Sequence, residues 1–197
     1  MSGRIAFFDF DGTITHKDTL LEFIRFAKGG IGFYSGFLLY SPALLAFKLN
    51  FISNQTAKQL VLRHFFGKTP LSKFSCLCNE FAIKVIPGLV RYKALHELQE
   101  LEKKNFRIVV VSASAENWVK LWAEKMGYDY IATRLETISD NITGRITGSN
   151  CFGEEKVNRI QQQYNLSEYS EIYCYGDSAG DKPMLGLGTK SFFKPFR

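Results

Sequence analysis

At 197 residues, with 46% hydrophobic and 22% charged side chains, the chain can bury one substantial α/β core plus a small insertion, which excludes a disordered polypeptide and two full-sized domains. The net charge of +6 is uneven: nine basic and three acidic side chains fall between Ile14 and Ile86, so this segment carries the whole excess and the remainder is neutral. Among Cys76, Cys78, Cys151 and Cys174 the single close pair lacks the spacing of common zinc or redox motifs, and Met1 to Arg4 leads directly into an apolar run without a leader pattern; the expectation is a cytoplasmic protein with reduced thiols.

The first apolar run, Ile5 to Phe8, has the character of a buried parallel strand, and it is broken by Asp9-Phe10-Asp11-Gly12-Thr13 where such a strand should stop. Two residues apart, Asp9 and Asp11 project to the same side of an extended backbone and repel each other unless a cation or a shared proton lies between them. The same letters also describe an ordinary acidic turn. Leu20 to Ala27 follow as an amphipathic helix capped by Asp18 or Thr19 and ending at Gly29-Gly30. Ile31 to Phe47 is a stretch of seventeen uncharged residues, read as a buried or interfacial helical hairpin kinked near Pro42, because its length is at the lower edge of a membrane span. Asn54 to Phe66 and Leu71 to Val85 read as two further helices, so residues 15–86 form an all-helical insertion.

Helical spacing resumes at Leu89 and continues to Leu101; strand Arg107 to Val111, helix Glu116 to Met126 and a short strand near Tyr130 to Ala132 follow. Glu136 to Ser139 and Asn141 to Thr147 suit a hairpin, and a helix near Gly153 to Tyr164, strand Glu171 to Tyr175, a helix near Asp181 and strand Ser191 to Phe193 complete the order of a βαβ sheet protein. Three of these strand and helix boundaries carry polar groups. Ser112-Ala113-Ser114 offers a hydroxyl and backbone N–H groups suited to an anion, although it also reads as a helix cap. Gly176-Asp177-Ser178-Ala179-Gly180-Asp181 places two acids on a strand-to-helix turn, as a hard cation requires. Lys156, at a helix start, is by its local sequence a surface lysine.

Asp-x-Asp-Gly-Thr, a strand-terminal Ser, a Lys and Gly-Asp-Ser-x-x-Asp, in this order and spacing, resemble the four motifs of the haloacid dehalogenase superfamily of phosphatases. Thr133-Arg134-Leu135-Glu136, Thr143-Gly144, Asn150-Cys151-Phe152-Gly153 and Asp181 to Leu185 resemble the branch that contains phosphoserine phosphatase. The resemblance implies an α/β, doubly wound, mostly parallel Rossmann-like sheet over residues 1–14 and 87–197, with an inserted all-helical cap over 15–86. It implies Asp9 as nucleophile, Asp11 as general acid, Mg2+ held by Asp9, Asp177 and the Asp11 backbone carbonyl with Asp181 in support, and Ser112 and Lys156 on the phosphoryl oxygens. In the phosphoserine branch a cap Glu nine residues after the nucleophile meets the substrate ammonium; here that position is Asp18, and Arg63 is the residue left to meet a substrate carboxylate.

The expected function is Mg2+-dependent hydrolysis of a phosphorylated small molecule through an aspartyl-phosphate. The basic, apolar insertion opens an alternative, a lipid-phosphate phosphatase resembling the phosphatidylglycerophosphate phosphatases of the same branch, peripheral at the inner face of the membrane and touching it through 31–47. A non-catalytic module binding nucleic acid or an anionic membrane is a third class. Nucleic acid is not the expected partner, because a binding module has no need of an Asp-x-Asp pair.

Overall fold

Ile5, Ala6, Phe7 and Phe8 are wholly buried, which is why the first apolar run shows no polar alternation: β1 (Gly3–Phe8) is the central strand of a parallel sheet covered on both faces. A computed structural model describes residues 3–39, 41, 45, 49 and 51–197. On one side β1 pairs with β3 (Arg107–Ala115), which pairs with β4 (Asp129–Thr133). On the other it pairs with β7 (Tyr169–Gly176), which pairs with β8 (Lys190–Phe193). The order is β4-β3-β1-β7-β8, every pair parallel. Alternate side chains enter opposite layers: Ala6 and Phe8 join the larger core with Val110 and Trp118, while Ile5 and Phe7 pack with Val109, Ile160 and Met184. The chain builds β3 and β4 on one side of β1 and then returns to build β7 and β8 on the other, a reversal that opens a crevice beyond the strands' carboxyl ends.

The insertion begins with α1 (Thr19–Leu39). A break was expected at Gly29-Gly30, and Gly29 does leave helical geometry, at φ 70 and ψ 174, a conformation glycine adopts without steric cost. The helix nevertheless resumes as a second arm to Leu39, because Phe33, Phe37 and Gly36 have a surface to pack on. That surface is α2 (Asn54–Phe66): the Phe37 and Phe65 rings are 5.5 Å apart, and a Cβ on Gly36 would fall 2.3 Å from the Phe65 ring. Pro42 and its expected kink lie outside the described residues, as do residues 40, 43, 44, 46 and 47 of the same apolar run.

After α2, the two-residue strand β2 (Thr69–Pro70) pairs antiparallel with β6 (Asn141–Ile146), which also pairs with β5 (Leu135–Ile138). Among the described residues the insertion's secondary structure is helical except for this pairing, which ties it to the hairpin following β4. Gly144 tightens the tie, since at φ 81 a Cβ there would lie 2.3 Å from Arg63 Cα. Helices α3 (Leu71–Lys84), α4 (Ile86–Leu89) and α5 (Tyr92–Lys103) return the chain to the sheet. Phe23 of α1 stacks at 4.7 Å on Trp118 of α6 (Glu116–Met126), so insertion and sheet share one core. On the opposite layer lie α7 (Glu154–Gln163) and α8 (Lys182–Leu185). Among the described residues no helix is long and apolar enough to cross a membrane.

Candidate active site

The end of β1 stays in register through Asp9, whose N–H donates to Tyr175 O at 2.9 Å, and the chain then turns at Gly12, φ 85. A Cβ on Gly12 would sit 2.5 Å from Asp177 Oδ2, so the bare Cα lets the acid at the end of β7 press against the β1 turn. Gly176 likewise leaves room for Asp181, whose Cβ would be 2.5 Å from a Cβ added there. Two acid-bearing strand ends, distant in sequence, thus converge at the switch point.

Lys156 supplies the charge between them. It stands in the first turn of α7, is 1% exposed, and uses all three donors: Nζ to Asp9 Oδ1 at 2.6 Å, to Asp181 Oδ1 at 2.7 Å and to Val111 O at 2.8 Å. The expectation of a surface lysine from local sequence is overturned, because α7 starts against the sheet and its first turn points inward; Gly153 N donates to Gly180 O at 3.1 Å to hold that start. Burial alone would pull the Lys156 amine down, but the Asp9 and Asp181 carboxylates outweigh it and hold it above its ordinary value. Asp9 is pushed up to about 7 by burial, which Lys156 opposes and the neighbouring acids reinforce. Burial also raises Asp177, against the guanidinium of Arg197, which donates to Asp177 Oδ2. Asp181 goes the other way: burial would raise it, yet Lys156 and the Ser178 donors hold it below the usual carboxylate range.

Asp11 faces away from this cluster. Its Oδ1 accepts from Thr19 N and Thr19 Oγ, both at 2.6 Å, and its Oδ2 accepts from Ser112 Oγ at 3.3 Å. Thr19 Oγ in turn accepts from the Trp118 indole at 3.1 Å and lies 3.1 Å from Ser114 Oγ. A chain of buried hydroxyls and an indole therefore orients Asp11 from behind. Ser112 and Ser114 do not cap α6, contrary to one reading of Ser-Ala-Ser: β3 continues to Ala115 across an irregularity, Ala115 is the cap residue without a side-chain bond, and Ser112 Oγ accepts from Ser114 N at 2.9 Å.

From the insertion, Lys58 of α2 reaches the same strand end, donating to Ala113 O at 2.7 Å and to Asn150 Oδ1 at 3.4 Å. Burial lowers its pKa, opposed by the Asp11 and Asp18 carboxylates, which places those acids in its surroundings. Asp18 itself accepts from Leu21 N at 3.0 Å and so caps α1. Arg63 is not brought to this cluster. It stands at the far end of α2, exposed, with its backbone against Gly144; Lys58 is the basic residue of that helix that approaches the carboxylates. Thr19, Trp118, Lys58 and Asn150 were missed as site residues in the sequence. Thr19 had the signal of a helix cap, and Asn150 lay inside a quoted motif; Lys58 and Trp118 carried no signal beyond amphipathic periodicity.

Ligand oxygens of Asp9, Asp177 and Asp181 lie within 4.8 Å of one another. Three buried carboxylates in so little space, two of them raised, and a glycine that makes room for one, are a donor set that fits a hard divalent cation. Asp181 is the least available of the three, because its Oδ2 already accepts from Asp177 N, Ser178 N and Ser178 Oγ at 3.2, 2.9 and 2.7 Å. A cleft of ≈ 840 Å³ along β4, between Arg107, Arg134 and Arg159, contains none of these acids and does not coincide with the chemistry.

A family model described as haloacid dehalogenase-like hydrolase matches residues 6–186. Protein CicA of Caulobacter vibrioides is 30% identical over 192 residues, covering 96% of this chain and 85% of that one. The phosphoserine phosphatase of Methanocaldococcus jannaschii is 28% identical over 189 residues, covering 92% and 81%. Among solved structures, a protein of unknown function from Bordetella pertussis Tohama I superposes with a TM-score of 0.84 at 23% identity, over 97% of this chain and 89% of that one.

Proposed function

The chain belongs to the haloacid dehalogenase-like hydrolases, in the phosphoserine-phosphatase-like branch, and on that premise we propose that it is a Mg2+-dependent phosphomonoesterase that cleaves a small phosphorylated metabolite through an aspartyl-phosphate on Asp9. The observation that carries this reading is the asymmetry of the acid pair: Asp9 is clamped by Lys156 while Asp11 is held apart by Thr19 and Ser112.

Asp9 Oδ1 is occupied by Lys156, and Oδ2 accepts no hydrogen bond among the described residues. Oδ2 is thus free to attack phosphorus. As the O–P bond forms and the ester P–O bond breaks, Asp11, positioned from behind by Thr19, gives its proton to the departing alkoxide. It then takes a proton from the water that attacks the phosphoryl group and returns Asp9 to its carboxylate. Lys156 offsets charge that would otherwise bar a carboxylate from a phosphate dianion, and Ser112, whose hydroxyl donates to Asp11 Oδ2 here, would turn it to a phosphoryl oxygen once substrate enters. Asp9 and Asp177, with the Asp11 backbone carbonyl, would hold Mg2+, which would supply further positive charge to the phosphoryl oxygens. Asp181 keeps Lys156 and the β7 turn in place. The helical insertion carries the leaving-group contacts, Lys58 first among them. Phosphoserine itself is not the proposed substrate, because Asp18 is engaged as a helix cap and Arg63 stands away from the site. The four free cysteines suit a reducing cytoplasm.

A panel of soluble phosphomonoesters and dispersed lipid phosphates, assayed with Mg2+ and with EDTA, tests the reading. Turnover should require the metal, vanish in Asp9→Asn, and leave acid-stable label on the protein only when Asp9 is present. Retention of more than a few per cent of kcat by Asp9→Asn would sink the covalent mechanism, and turnover confined to the lipid phosphates would replace the metabolite with the lipid class.

A further inference from the structure

Seven of the thirteen exposed large apolar side chains among the described residues fall between Ile31 and Phe51. Single exposed apolar residues are ordinary, but this clustering is not. The second arm of α1 presents two faces. Phe33, Gly36 and Phe37 face the α2 packing surface, whereas Ile31, Tyr34 and Leu38, spaced for one side of a helix, are 90%, 64% and 76% exposed. No charged residue lies in the arm.

Arg25 borders the apolar face, and further basic groups gather at the foot of the arm. The Arg25 guanidinium lies 5.0 Å from the Phe33 ring centroid and 5.9 Å from that of Tyr34, and Lys28 Nζ lies 5.1 Å from the Phe66 ring. Lys28, Lys68 and Lys73 are exposed and make no ion pair among the described residues, and Lys73 is close enough to Lys28 to help its partial burial lower the amine's pKa. Glu22, on the same helix, is already engaged by Lys17 at 3.2 Å and Arg25 at 3.8 Å.

From this juxtaposition we infer that the outer face of the α1 second arm, Ile31, Tyr34 and Leu38, with Arg25 beside it and Lys28 and Lys73 toward the foot of the arm, docks the protein on an anionic lipid bilayer surface. An apolar helix face rimmed by cations lies flat at the headgroup level, with a tyrosine at the boundary and the amines among the phosphates. The ten described residues of the arm extend about 15 Å, and among the described residues no helix is long and apolar enough to span. A second copy of the chain is the poorer occupant, because a two-fold contact through this face would bring two copies of the same basic cluster into one interface with no acidic patch among the described residues to meet them. The docking face is separate from the chemistry at Asp9 and stands or falls without it.

Flotation of the purified full chain with phosphatidylglycerol-containing vesicles, against pure phosphatidylcholine vesicles, reads the contact directly. Wild type should float with the anionic vesicles at low salt and stay in solution with the neutral ones. Each basic residue at an anionic surface is worth about fivefold in partition, so Lys28→Gln with Lys73→Gln should lose roughly 25-fold. Ile31→Ser with Leu38→Ser should abolish flotation without moving the melting temperature, since both side chains stand in solvent. Tyr34→Trp gives a second readout in an otherwise intact chain: its emission should shift to the blue and be quenched by brominated acyl chains. No flotation on anionic vesicles, equal flotation on neutral ones, unchanged flotation of the serine variant, or a concentration-dependent dimer lost in that variant would each overturn the inference.

Discussion

Replacing Lys156 with Met keeps most of the unbranched stem and removes the ammonium, which isolates what the buried amine does for the fold. In the parent protein its three donors meet Asp9 Oδ1 at 2.6 Å, Asp181 Oδ1 at 2.7 Å and Val111 O at 2.8 Å. Methionine satisfies none of them, leaving two buried carboxylates without a counter-charge and a carbonyl without a donor. Removing one side of a buried ion pair costs about 3–5 kcal/mol, and an orphaned carbonyl adds about 1 kcal/mol. For a chain of this size each kcal/mol moves Tm by about 2–4 °C, so in metal-free buffer the variant should melt roughly 10–20 °C below the parent. The deficit should also depend on pH. Without the ammonium, both carboxyls titrate higher in the folded state than in the parent; Asp9 already stands at about 7 in the parent, so its share of the deficit appears only above neutrality, and the whole deficit is largest at about pH 9 and shrinks toward about pH 4 as both acids take up protons. Adding Asp181→Asn removes one of the two orphaned charges and should return at least about 1 kcal/mol. Urea or thermal unfolding in EDTA across this pH range measures all three quantities. A deficit under about 1 kcal/mol, one that ignores pH, or one that deepens with Asp181→Asn would refute the picture of Lys156 as the neutralising centre.

Thr19→Val removes the hydroxyl that orients Asp11 Oδ1 and accepts from the Trp118 indole, and should lower kcat about 10–100-fold with KM nearly unchanged, because a misaligned proton carrier slows chemistry without weakening binding. Steady-state kinetics decide it: an effect confined to KM would show that Thr19 serves substrate binding instead. Lys58→Met should raise KM about 10–100-fold for phosphate esters that carry a second anionic group and spare those that do not, the range expected when a charged donor is lost. A uniform loss across both substrate sets would place Lys58 in the chemistry rather than in discrimination.

The acids at the ends of β1 and β7 were legible because strand ends announce themselves: an apolar run buried on both faces must stop where Asp9 or Asp177 begins, and glycines mark where the backbone turns or comes close. The parallel sheet, too, was readable from continuous apolar runs alternating with helical periodicity, and the break at Gly29 from glycine itself. That the helix should resume beyond Gly29 was not readable, since it depends on Phe65 standing where Phe33 and Phe37 can reach it. Nor was the pairing of Thr69–Pro70 with β6, which joins segments about seventy residues apart. Lys156 shows the limit most plainly. By local sequence it is one of many lysines at the start of a polar helix, and only resemblance to a family gave it a role. Its burial follows from how α7 sits on the sheet. Thr19, Trp118 and Lys58 reached the site in the same way, through contacts with partners 99 residues away for the indole and 55 for the lysine. Periodicity reports which face of an element is apolar, because that depends on neighbours along the chain. Which polar atom meets which depends on the relative placement of elements, and that is decided by the packing of whole layers.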